Sequence, residues 1–523
     1  MHQLMSLAEF LNIERVIPDK GLQDPRPGIQ PGLKYSPIVQ GSIVVDFSTS
    51  RDPRIMIGTS PILWSDAIPE PRGIRPCLDG RITADVCIIG AGYTGLWTAY
   101  YLKQWAPAIN VVIVEAESAG FGASGRNGGW VSGSLAQQHK YLDRLAANER
   151  RACYRVIFDM VDEVGRVIAR EGIDCDYHKG GVLYAAARYP EQETRLRRHL
   201  QKLHADGCDE SDYRWLGRDE ARERIAMRDV RGAVFSPHCA VMQPARLVCG
   251  LAGAVERLGV ALFEKSPVLA FGDGEALTAG GVVAAPLIVT AMEGYSNRLP
   301  QLRPYMIPVH SLIVATEPLD DAVWRSIGLP DREAFDDTSR QITYGQRTAD
   351  GRMIFGARGR YYLGAKQIDA WPLDHPEFRM RIDLLHDLFP QLRGVRITHG
   401  WGGAFGMARA MTPHVIFDRA RGHLWGGGYT GEGVAAANLA GRTMADLILG
   451  RESELVRLPW VFSDVVVANR LRSWEPEPFR WLGSRAISWA YRQEDRVCNT
   501  PMVSGWRKRA VMHLADLLEL LMR

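Results

Sequence analysis

Residues 85–95 read DVCIIGAGYTG, and this stretch decides the fold. The apolar run 85–89 predicts a short buried strand, and residues 93–105 predict a helix that begins inside the glycine motif. In such a loop the first glycine permits a tight turn, the second lets backbone approach a pyrophosphate, and the third lets helix and strand pack closely. The helix N-terminus attracts phosphate. We assign this first glycine loop to Gly90, Gly92, Tyr93, Thr94 and Gly95.

A second strand is predicted at 110–114 (NVVIV), and Glu115 and Ala116 follow it. A carboxylate at the end of this strand, about twenty residues after the glycines, accepts hydrogen bonds from the hydroxyls of a ribose. The strand–helix–strand order predicts a parallel sheet of an α/β fold. Together these features predict a dinucleotide site.

A second glycine loop, GFGASGRNGG at 120–129, follows the acidic strand end. A nicotinamide cofactor does not require this loop, whereas the longer FAD runs on past the first one. We therefore favour FAD, with phosphate contacts from Ser124 and Arg126. The complete set predicted here is Gly122, Ala123, Ser124, Arg126, Asn127, Gly128 and Gly129.

A third glycine loop lies far downstream, at 423–434 (HLWGGGYTGEGV), and precedes a predicted helix at 435–449. A helix N-terminus pointed at a flavin stabilises the anion that forms when the flavin is reduced. The predicted contacts are Gly428, Tyr429, Thr430, Gly431, Glu432, Gly433 and Val434.

Composition excludes several classes of protein. The 523 residues carry 63 Lys and Arg against 60 Asp and Glu, a formal charge of +3, so we expect no nucleic-acid partner. The eight cysteines form no C-x-x-C pair, so we predict no metal site and a reduced, cytoplasmic protein. The N-terminus lacks the pattern of a secretory signal, and no apolar run approaches the ~18 residues that span a bilayer.

The three motifs resemble FAD-dependent oxidoreductases of the D-amino-acid oxidase, glycine oxidase and sarcosine oxidase superfamily. The GASGRNGG segment is similar to the gamma-glutamylputrescine oxidoreductase branch, and the resemblance runs from about residue 62 to about 485. It implies an α/β (α+β) fold, in which a mixed-sheet substrate domain is inserted into a Rossmann-like FAD-binding domain. The division that we expect is an extended arm at 1–79, FAD segments at 80–135, 235–295 and 395–450, substrate segments at 136–234 and 296–394, and a C-terminal extension at 451–523.

The resemblance also implies contacts to FAD from Val268 and Ala291. Met292-Glu293-Gly294 replaces the small residues that are usual after Ala291. Sarcosine oxidases tether their flavin through a cysteine in the last FAD region, but this chain has no cysteine between Cys249 and Cys498. We therefore predict that FAD is held non-covalently.

The implied activity is oxidation of a C–N bond in a primary or secondary amine or amino acid. Hydride passes to flavin N5, water hydrolyses the imine, and O2 reoxidises the flavin to give hydrogen peroxide. The candidate substrates are N-substituted amino acids of the iminodiacetate or sarcosine type, and gamma-glutamyl amines. The predicted pocket residues are Trp130, Tyr344, Trp401, Phe405, Met407 and Arg409.

Two departures concern the substrate carboxylate. Relatives carry a carboxylate-binding arginine at the positions that Phe405 and Thr430 occupy here. A relocated arginine is the alternative, and Arg409, Arg358 and Arg347 are the candidates.

Other functions stay open. The second hypothesis is a dehydrogenase that uses a quinone or carrier as its electron acceptor. It is supported because Lys366 is the only lysine between Lys265 and Lys508, so the oxygen-activating lysine of sarcosine oxidases is missing. A flavin monooxygenase would carry a Gly-Asp motif where this chain has GYTGEGV, and a non-catalytic flavin protein is the last alternative.

The tail at 506–521 predicts an amphipathic helix. Its apolar stripe is Trp506, Ala510, Leu514, Leu517, Leu518 and Leu521. We favour packing on the protein itself or on a partner subunit in a homo-oligomer over anchoring to a membrane surface.

Overall fold

The computed structural model describes residues 62–66, 68, 75–372 and 374–522. Most of the arm predicted at 1–79 therefore lies outside the described residues. The described part of this arm contains a short helix at Leu63–Asp66, and a strand at Gly80–Thr83 begins directly after the arm. Within the described residues no helix is both long enough and apolar enough to cross a membrane.

A seven-stranded sheet is built around the strand that precedes the first glycine loop. Its central strands are parallel, and each residue of Val86–Ile89 is buried because neighbours flank it on both sides. The predicted strand–helix–strand unit is thus confirmed. In spatial order the strands are Val461–Ser463, His414–Asp418, His423–Gly427, Leu287–Thr290, Val86–Ile89, Val111–Val114 and Ala261–Phe263.

The helix Tyr93–Trp105 packs between this sheet and two other helices, Pro244–Arg257 and Gly433–Leu449. Gly441 allows the close approach, since a Cβ there would lie 2.6 Å from the Cβ of Trp97. The long helix Ala147–Glu171 also contacts Gly433–Leu449. The glycine loops that begin two of these helices are thereby fixed at one edge of the sheet.

An eight-stranded mixed sheet forms the second large layer. Its two longest strands, Met306–Thr316 and Ile397–Ala408, pair antiparallel over almost their full length. The hairpin predicted around Asp350-Gly351 is confirmed, with Tyr344–Arg347 pairing antiparallel with Met353–Arg360. In spatial order the strands are Ile397–Ala408, Met306–Thr316, Met353–Arg360, Tyr344–Arg347, Ala334–Asp336, Val182–Ala186, Gly232–Ser236 and Arg214–Leu216.

Two smaller sheets complete the strand structure. The first contains Gly80–Thr83, Gly281–Ala284, Glu275–Thr278 and Val268–Gly272, and the second pairs Trp130–Ser132 with Cys239–Val241. The domain division stays a prediction. Sheet membership places Ile397–Ala408 with the substrate-side strands and Val461–Ser463 with the strands of the glycine loops.

The remaining described helices are mostly on the substrate side and at the C-terminus. They are His139–Leu142, Pro190–Ala205, Arg218–Arg224, Asp321–Ile327, Pro376–Leu388, Val467–Arg470, Phe479–Cys498 and Gly505–Met522. We call the last two the C-terminal helix pair. They pack against each other around the buried Ala490, Tyr491 and Ala515.

Only part of the apolar stripe predicted for the tail reaches that contact, since Leu518 packs against it. Ala515 is fully buried, whereas Trp506, Leu517 and Leu521 are 65%, 52% and 67% exposed. The helix does pack on its own protein, through Ala515 and Leu518, and Glu519 beside them accepts a hydrogen bond from the Tyr491 hydroxyl.

Candidate active site

A cavity of about 530 Å³ lies between the glycine loops and one face of the eight-stranded sheet. Residues of all three glycine loops line it, and so do residues from the strands Met306–Thr316, Tyr344–Arg347, Met353–Arg360 and Ile397–Ala408. The loops at the carboxyl ends of parallel strands thus face the substrate side of the molecule, which is where ligands bind in such sheets.

The first glycine loop presents its backbone to the cavity through Gly90 and Gly92. Gly90 has φ = +108°, and a Cβ on it would lie 2.7 Å from the carbonyl oxygen of Ala291. A Cβ on Gly95 would lie 2.0 Å from the carbonyl oxygen of Gly90. Only glycine fits at these two positions. The close packing that a pyrophosphate-binding turn requires is therefore present.

Glu115 stands at the end of the neighbouring strand, as predicted. Its two oxygens accept hydrogen bonds from the backbone N–H groups of Ala91 (2.8 Å) and Glu117 (2.9 Å). Burial raises the pKa of this carboxyl, and the two N–H donors oppose the rise. Glu115 lines the cavity together with Ala116 and Val268.

The second glycine loop is anchored to both sides of the cavity. The hydroxyl of Ser124 accepts a hydrogen bond from the Tyr93 N–H at 2.9 Å, so it caps the helix of the first loop. Arg126 donates to the carbonyl oxygens of Asp369 (2.6 Å) and Gly402 (3.3 Å). Both side chains line the cavity while they hold the loop in place.

The third glycine loop meets the first. The hydroxyls of Tyr429 and Thr94 are 2.9 Å apart and share a hydrogen bond. The helix Gly433–Leu449 begins here without a side chain that caps its first turn, and Gly431 to Val434 line the cavity. Free N–H groups at a helix N-terminus bind anionic or carbonyl oxygens.

These features fit FAD. The strained glycine cradle, the buried carboxylate at the next strand end and the uncapped helix at the third loop supply the contacts expected for pyrophosphate, ribose and flavin. Among the described residues, no cysteine or histidine lines the cavity.

The substrate side of the cavity is organised around Tyr344. Its ring lies over Gly128 and Gly356, where an added Cβ would come within 2.7 Å and 2.1 Å of the ring. Its hydroxyl shares a hydrogen bond with that of Ser311 at 2.7 Å, and burial raises its pKa, so the phenol is neutral. Trp130 stands edge-on to this ring and donates to the carbonyl oxygen of Gly345.

Most of the residues predicted for the site line the cavity. On the substrate side these are Trp130, Tyr344, Phe405 and Met407, and Ala291 lies with the cofactor-side residues. The predicted residues that do not line it are Gly95, Gly129, Gly428, Trp401 and Arg409.

Two of these five, Trp401 and Arg409, are residues of the predicted substrate pocket that lie outside the cavity lining. Trp401 is buried beneath the second loop, where its indole N–H donates to the carbonyl oxygen of Arg126 at 2.9 Å. Arg409 is buried in an ion pair with Glu475 at 3.0 Å. Gly95, Gly129 and Gly428 lie behind the cavity wall and support the loops, since an added Cβ at each would strike backbone or side chains.

Sequence reasoning missed two groups of cavity residues. Asp336 and Tyr184 come from neighbouring strands of the eight-stranded sheet, in register with each other. The second group belongs to the C-terminal helix pair: Arg480, Ser484, Ile487, Ser488, Tyr491 and Glu519. No motif marks either group, because their partners are distant in sequence.

The fold and the three-loop site define a flavin-dinucleotide oxidoreductase. The family model described as FAD dependent oxidoreductase matches residues 85–447. The chain therefore belongs to the FAD-dependent oxidoreductase (DAO) family, which confirms the predicted resemblance and FAD as the cofactor.

Individual relatives agree. The chain is 30% identical over 388 residues to gamma-glutamylputrescine oxidoreductase of Escherichia coli, which covers 71% of this chain and 85% of that protein. It is 29% identical over 402 residues to the probable oxidoreductase OrdL of Haemophilus influenzae, with 74% and 89% covered.

Among solved structures, glycine oxidase from Geobacillus kaustophilus superposes with a TM-score of 0.60 at 21% identity, covering 73% of this chain and 99% of that one. This likeness confirms the predicted fold class. The C-terminal helix pair lies beyond the residues that the family model matches.

Proposed function

We propose that the protein is an oxidase that cleaves a C–N bond of a primary or secondary amine or amino acid, with O2 as the electron acceptor and hydrogen peroxide as a product. When bound, FAD supplies the acceptor for the two electrons and the hydride. The observation that carries the proposal is the single cavity shared by the three glycine loops and the face of the sheet that presents Tyr344.

The residues around this cavity position and desolvate an amine. Ile307, Val309 and Ile313 give the sheet face an apolar surface, to which Phe405 and Met407 add. An apolar surrounding favours the neutral amine, which is the form that gives up hydride. Tyr344 and Ser311 supply hydroxyl groups for orientation. No further acid or base is required for this chemistry.

The candidate substrates are N-substituted amino acids of the iminodiacetate or sarcosine type and gamma-glutamyl amines. The E. coli relative's name supports the second class. We also propose that FAD is held non-covalently, that the protein works in the cytoplasm, and that it forms a homo-oligomer.

The second candidate is a dehydrogenase with the same C–N chemistry that passes electrons to a quinone or carrier. Two observations favour it: no lysine lines the cavity within the described residues, and the last helix exposes Trp506, Leu517 and Leu521. An exposed apolar helix face suits contact with a membrane surface.

An anaerobic titration tests the proposal. The FAD-loaded protein is mixed in turn with sarcosine, iminodiacetate, glycine, D-alanine, putrescine and gamma-glutamylputrescine, and the visible flavin band is followed. We expect at least one compound to bleach the band. Fast recovery in air would identify an oxidase, slow recovery would favour the dehydrogenase, and a band that no compound bleaches would contradict C–N oxidation.

A further inference from the structure

The last four residues of the second glycine loop, 126–129, are fixed through their carbonyl oxygens. Each oxygen accepts a hydrogen bond, and each donor comes from a different part of the chain. In chain order the donors are the indoles of Trp401 and Trp64, the side-chain amide of Gln346 and the backbone N–H of Met242, at distances of 2.9, 2.8, 2.6 and 2.8 Å. None of these four donor residues lines the cavity, whereas residues 126–128 of the loop do.

The N–H group of Gly128 differs from its two neighbours in the loop. The N–H of Asn127 donates to the carbonyl oxygen of Ala123 at 2.9 Å, and the N–H of Gly129 donates to Oδ1 of Asn127 at 2.8 Å. Among the described residues, no group accepts the Gly128 N–H. It shares a planar trans peptide group with the carbonyl of Asn127, so the two point in opposite directions. The Gly128 N–H therefore points away from Trp64, on the side of the cavity.

Trp64 belongs to the short helix Leu63–Asp66, which precedes the residues 85–447 that the family model matches. Its side chain is 3% exposed, and its ring stands edge-on to that of Trp401 with 5.6 Å between the ring centroids. The two indoles that donate to neighbouring carbonyl oxygens of the loop thus also pack on each other. Displacing one of them would displace the other.

Two further contacts tie the helix Leu63–Asp66 to the body of the protein. The side-chain amide of Gln243 donates to the carbonyl oxygen of Trp64 at 2.7 Å. A carboxylate oxygen of Asp66 lies 3.0 Å from Nε2 of His399, two residues before Trp401 on the same strand. These contacts hold the backbone on both sides of the Trp64 indole, so its N–H is aimed at the loop.

The surroundings of Trp64 are apolar. It is a member of a buried cluster against which the ring of Tyr344 also packs, so the same cluster supports the loop and the substrate side of the cavity. Its other buried members are Ala245, Ile313, Ala315, Ile354 and Trp401. In such surroundings water does not replace a lost hydrogen bond, and a carbonyl oxygen left without its donor is destabilised.

We propose that Trp64 and Trp401 position the N–H of Gly128 as a hydrogen-bond donor to the flavin ring of FAD. Trp64 is then a positioning residue, since it acts through the peptide group between Asn127 and Gly128. Reduced flavin carries more negative charge than oxidised flavin, and hydrogen bonds to charged acceptors are roughly twice as strong as those to neutral ones. The Gly128 N–H therefore raises the midpoint potential of the bound flavin. This inference depends on FAD as the cofactor and not on the choice of amine or electron acceptor.

Trp64→Phe tests the proposal, because it removes the indole N–H and keeps an aromatic ring. The midpoint potential of the bound flavin is measured anaerobically against a reference dye. We expect affinity for reduced FAD to fall roughly 2- to 10-fold more than affinity for oxidised FAD. The potential then becomes about 10–30 mV more negative, since a tenfold change corresponds to about 30 mV for a two-electron couple. A general loosening of the fold would weaken the binding of both forms equally and leave the potential unchanged.

Two other tryptophans provide matched variants. Trp506→Phe makes the same change at an indole that is 65% exposed, and it should leave the potential unchanged. Trp401→Phe removes the donor to the neighbouring carbonyl oxygen and should shift the potential in the same direction as Trp64→Phe, but by less. An unchanged potential in Trp64→Phe, even with weaker FAD binding, would overturn the proposal, and so would an equal shift in Trp506→Phe.

Amide hydrogen exchange of the FAD-loaded wild type tests the same contact if Trp64→Phe does not fold. Exchange at single residues is compared between the oxidised protein and the protein reduced with dithionite. The Gly128 N–H should exchange at least roughly twofold more slowly in the reduced protein, whereas the Gly129 N–H, which is bound to Asn127, should exchange equally in both. Equal rates for Gly128 would overturn the proposal. Neither measurement uses an amine, so a negative result leaves the proposed C–N oxidation standing.

Discussion

Glu293 accepts a hydrogen bond from the backbone N–H of Tyr429 at 3.1 Å, and its other carboxylate oxygen accepts one from the N–H of Gly406 at 2.5 Å. One side chain therefore joins three segments: the end of Leu287–Thr290, the third glycine loop and the strand Ile397–Ala408. In the sequence this glutamate is only a departure from the small residues expected after Ala291. In the structure it holds two walls of the cavity together.

At a pH above 7, where Glu293 is ionised and both of its oxygens accept, Glu293→Gln should destabilise the fold. The amide keeps one acceptor oxygen, but its NH2 group faces a backbone N–H and leaves that donor unsatisfied, at a cost of about 1–3 kcal/mol. Urea unfolding measures the loss, and FAD affinity should fall with it. The control is Glu275→Gln, which removes a solvent-exposed ion pair with Arg81 and should cost less than about 1 kcal/mol. Equal losses in the two variants would contradict this role.

Glu293 also predicts a pH dependence of stability. Burial raises its pKa from 4.5 to about 7. Between these values the folded chain holds a proton that the unfolded chain releases, so the free energy of unfolding falls as pH rises, by at most about 1.4 kcal/mol per pH unit. Above pH 7 this contribution is constant. Urea unfolding at several pH values should show a shallower fall for Glu293→Gln, and parallel curves would contradict the assignment.

Local patterns predicted the elements of the fold well. Each of three predicted elements depends on neighbours in sequence: the strand 85–89, the helix 93–105 and the hairpin at Asp350-Gly351. The bounds of the strand and the helix agree with the structure to within a residue, and those of the hairpin differ by a few residues at its outer ends. The glycine loops were found for the same reason, because turn, cradle and helix start are all encoded within a few residues.

Contacts between distant segments were not predictable. Trp401 shares a strand with Phe405 and Met407, but only the structure shows that the second glycine loop covers it. The three candidate arginines were equivalent in sequence, and they differ because Glu475 and Trp324 engage two of them. Such pairings join residues tens to hundreds of positions apart, for which no periodicity exists.

The first glycine loop predicts a sharp contrast between two glycines. Gly95→Ala would place a Cβ 2.0 Å from the carbonyl oxygen of Gly90, so the loop must shift and FAD binding should be lost. Gly253 lies in the helix Pro244–Arg257, and its nearest neighbour would be a flexible arginine nitrogen at 3.5 Å. Gly253→Ala should therefore be neutral or stabilise by up to about 1 kcal/mol. The absorbance ratio of flavin to protein after purification measures FAD content, and full occupancy in Gly95→Ala would contradict the cradle.

Asp336 predicts a pH dependence of amine binding. Burial, and then the charge of Asp337, raise its pKa to about 8. The carboxyl lines the cavity and ionises as pH rises through 8, so a cationic amine should bind more tightly, by up to about tenfold per pH unit below that value. Anaerobic calorimetry with putrescine between pH 6.5 and 9 measures this. Asp336→Asn should flatten the profile, whereas Asp331→Asn, an exposed carboxyl paired with His178, should retain it. A wild-type profile without a slope would contradict the role of Asp336.

The C-terminal helix pair links packing to the wall of the cavity, which its residues line. Ala515 is fully buried against Ala490 and Tyr491, so Ala515→Leu overpacks this contact at a cost of about 1–3 kcal/mol. Because Tyr491 lines the cavity and stacks on Arg358, the same change should shift both side chains and raise the KM for the amine that bleaches the flavin. Leu517 on the exposed face of the same helix provides the control, and Leu517→Gln should change stability by less than about 0.5 kcal/mol and leave this KM unchanged. Were Ala515→Leu to lose stability without a change in this KM, the packing of the helix pair would not set the shape of the substrate side of the cavity.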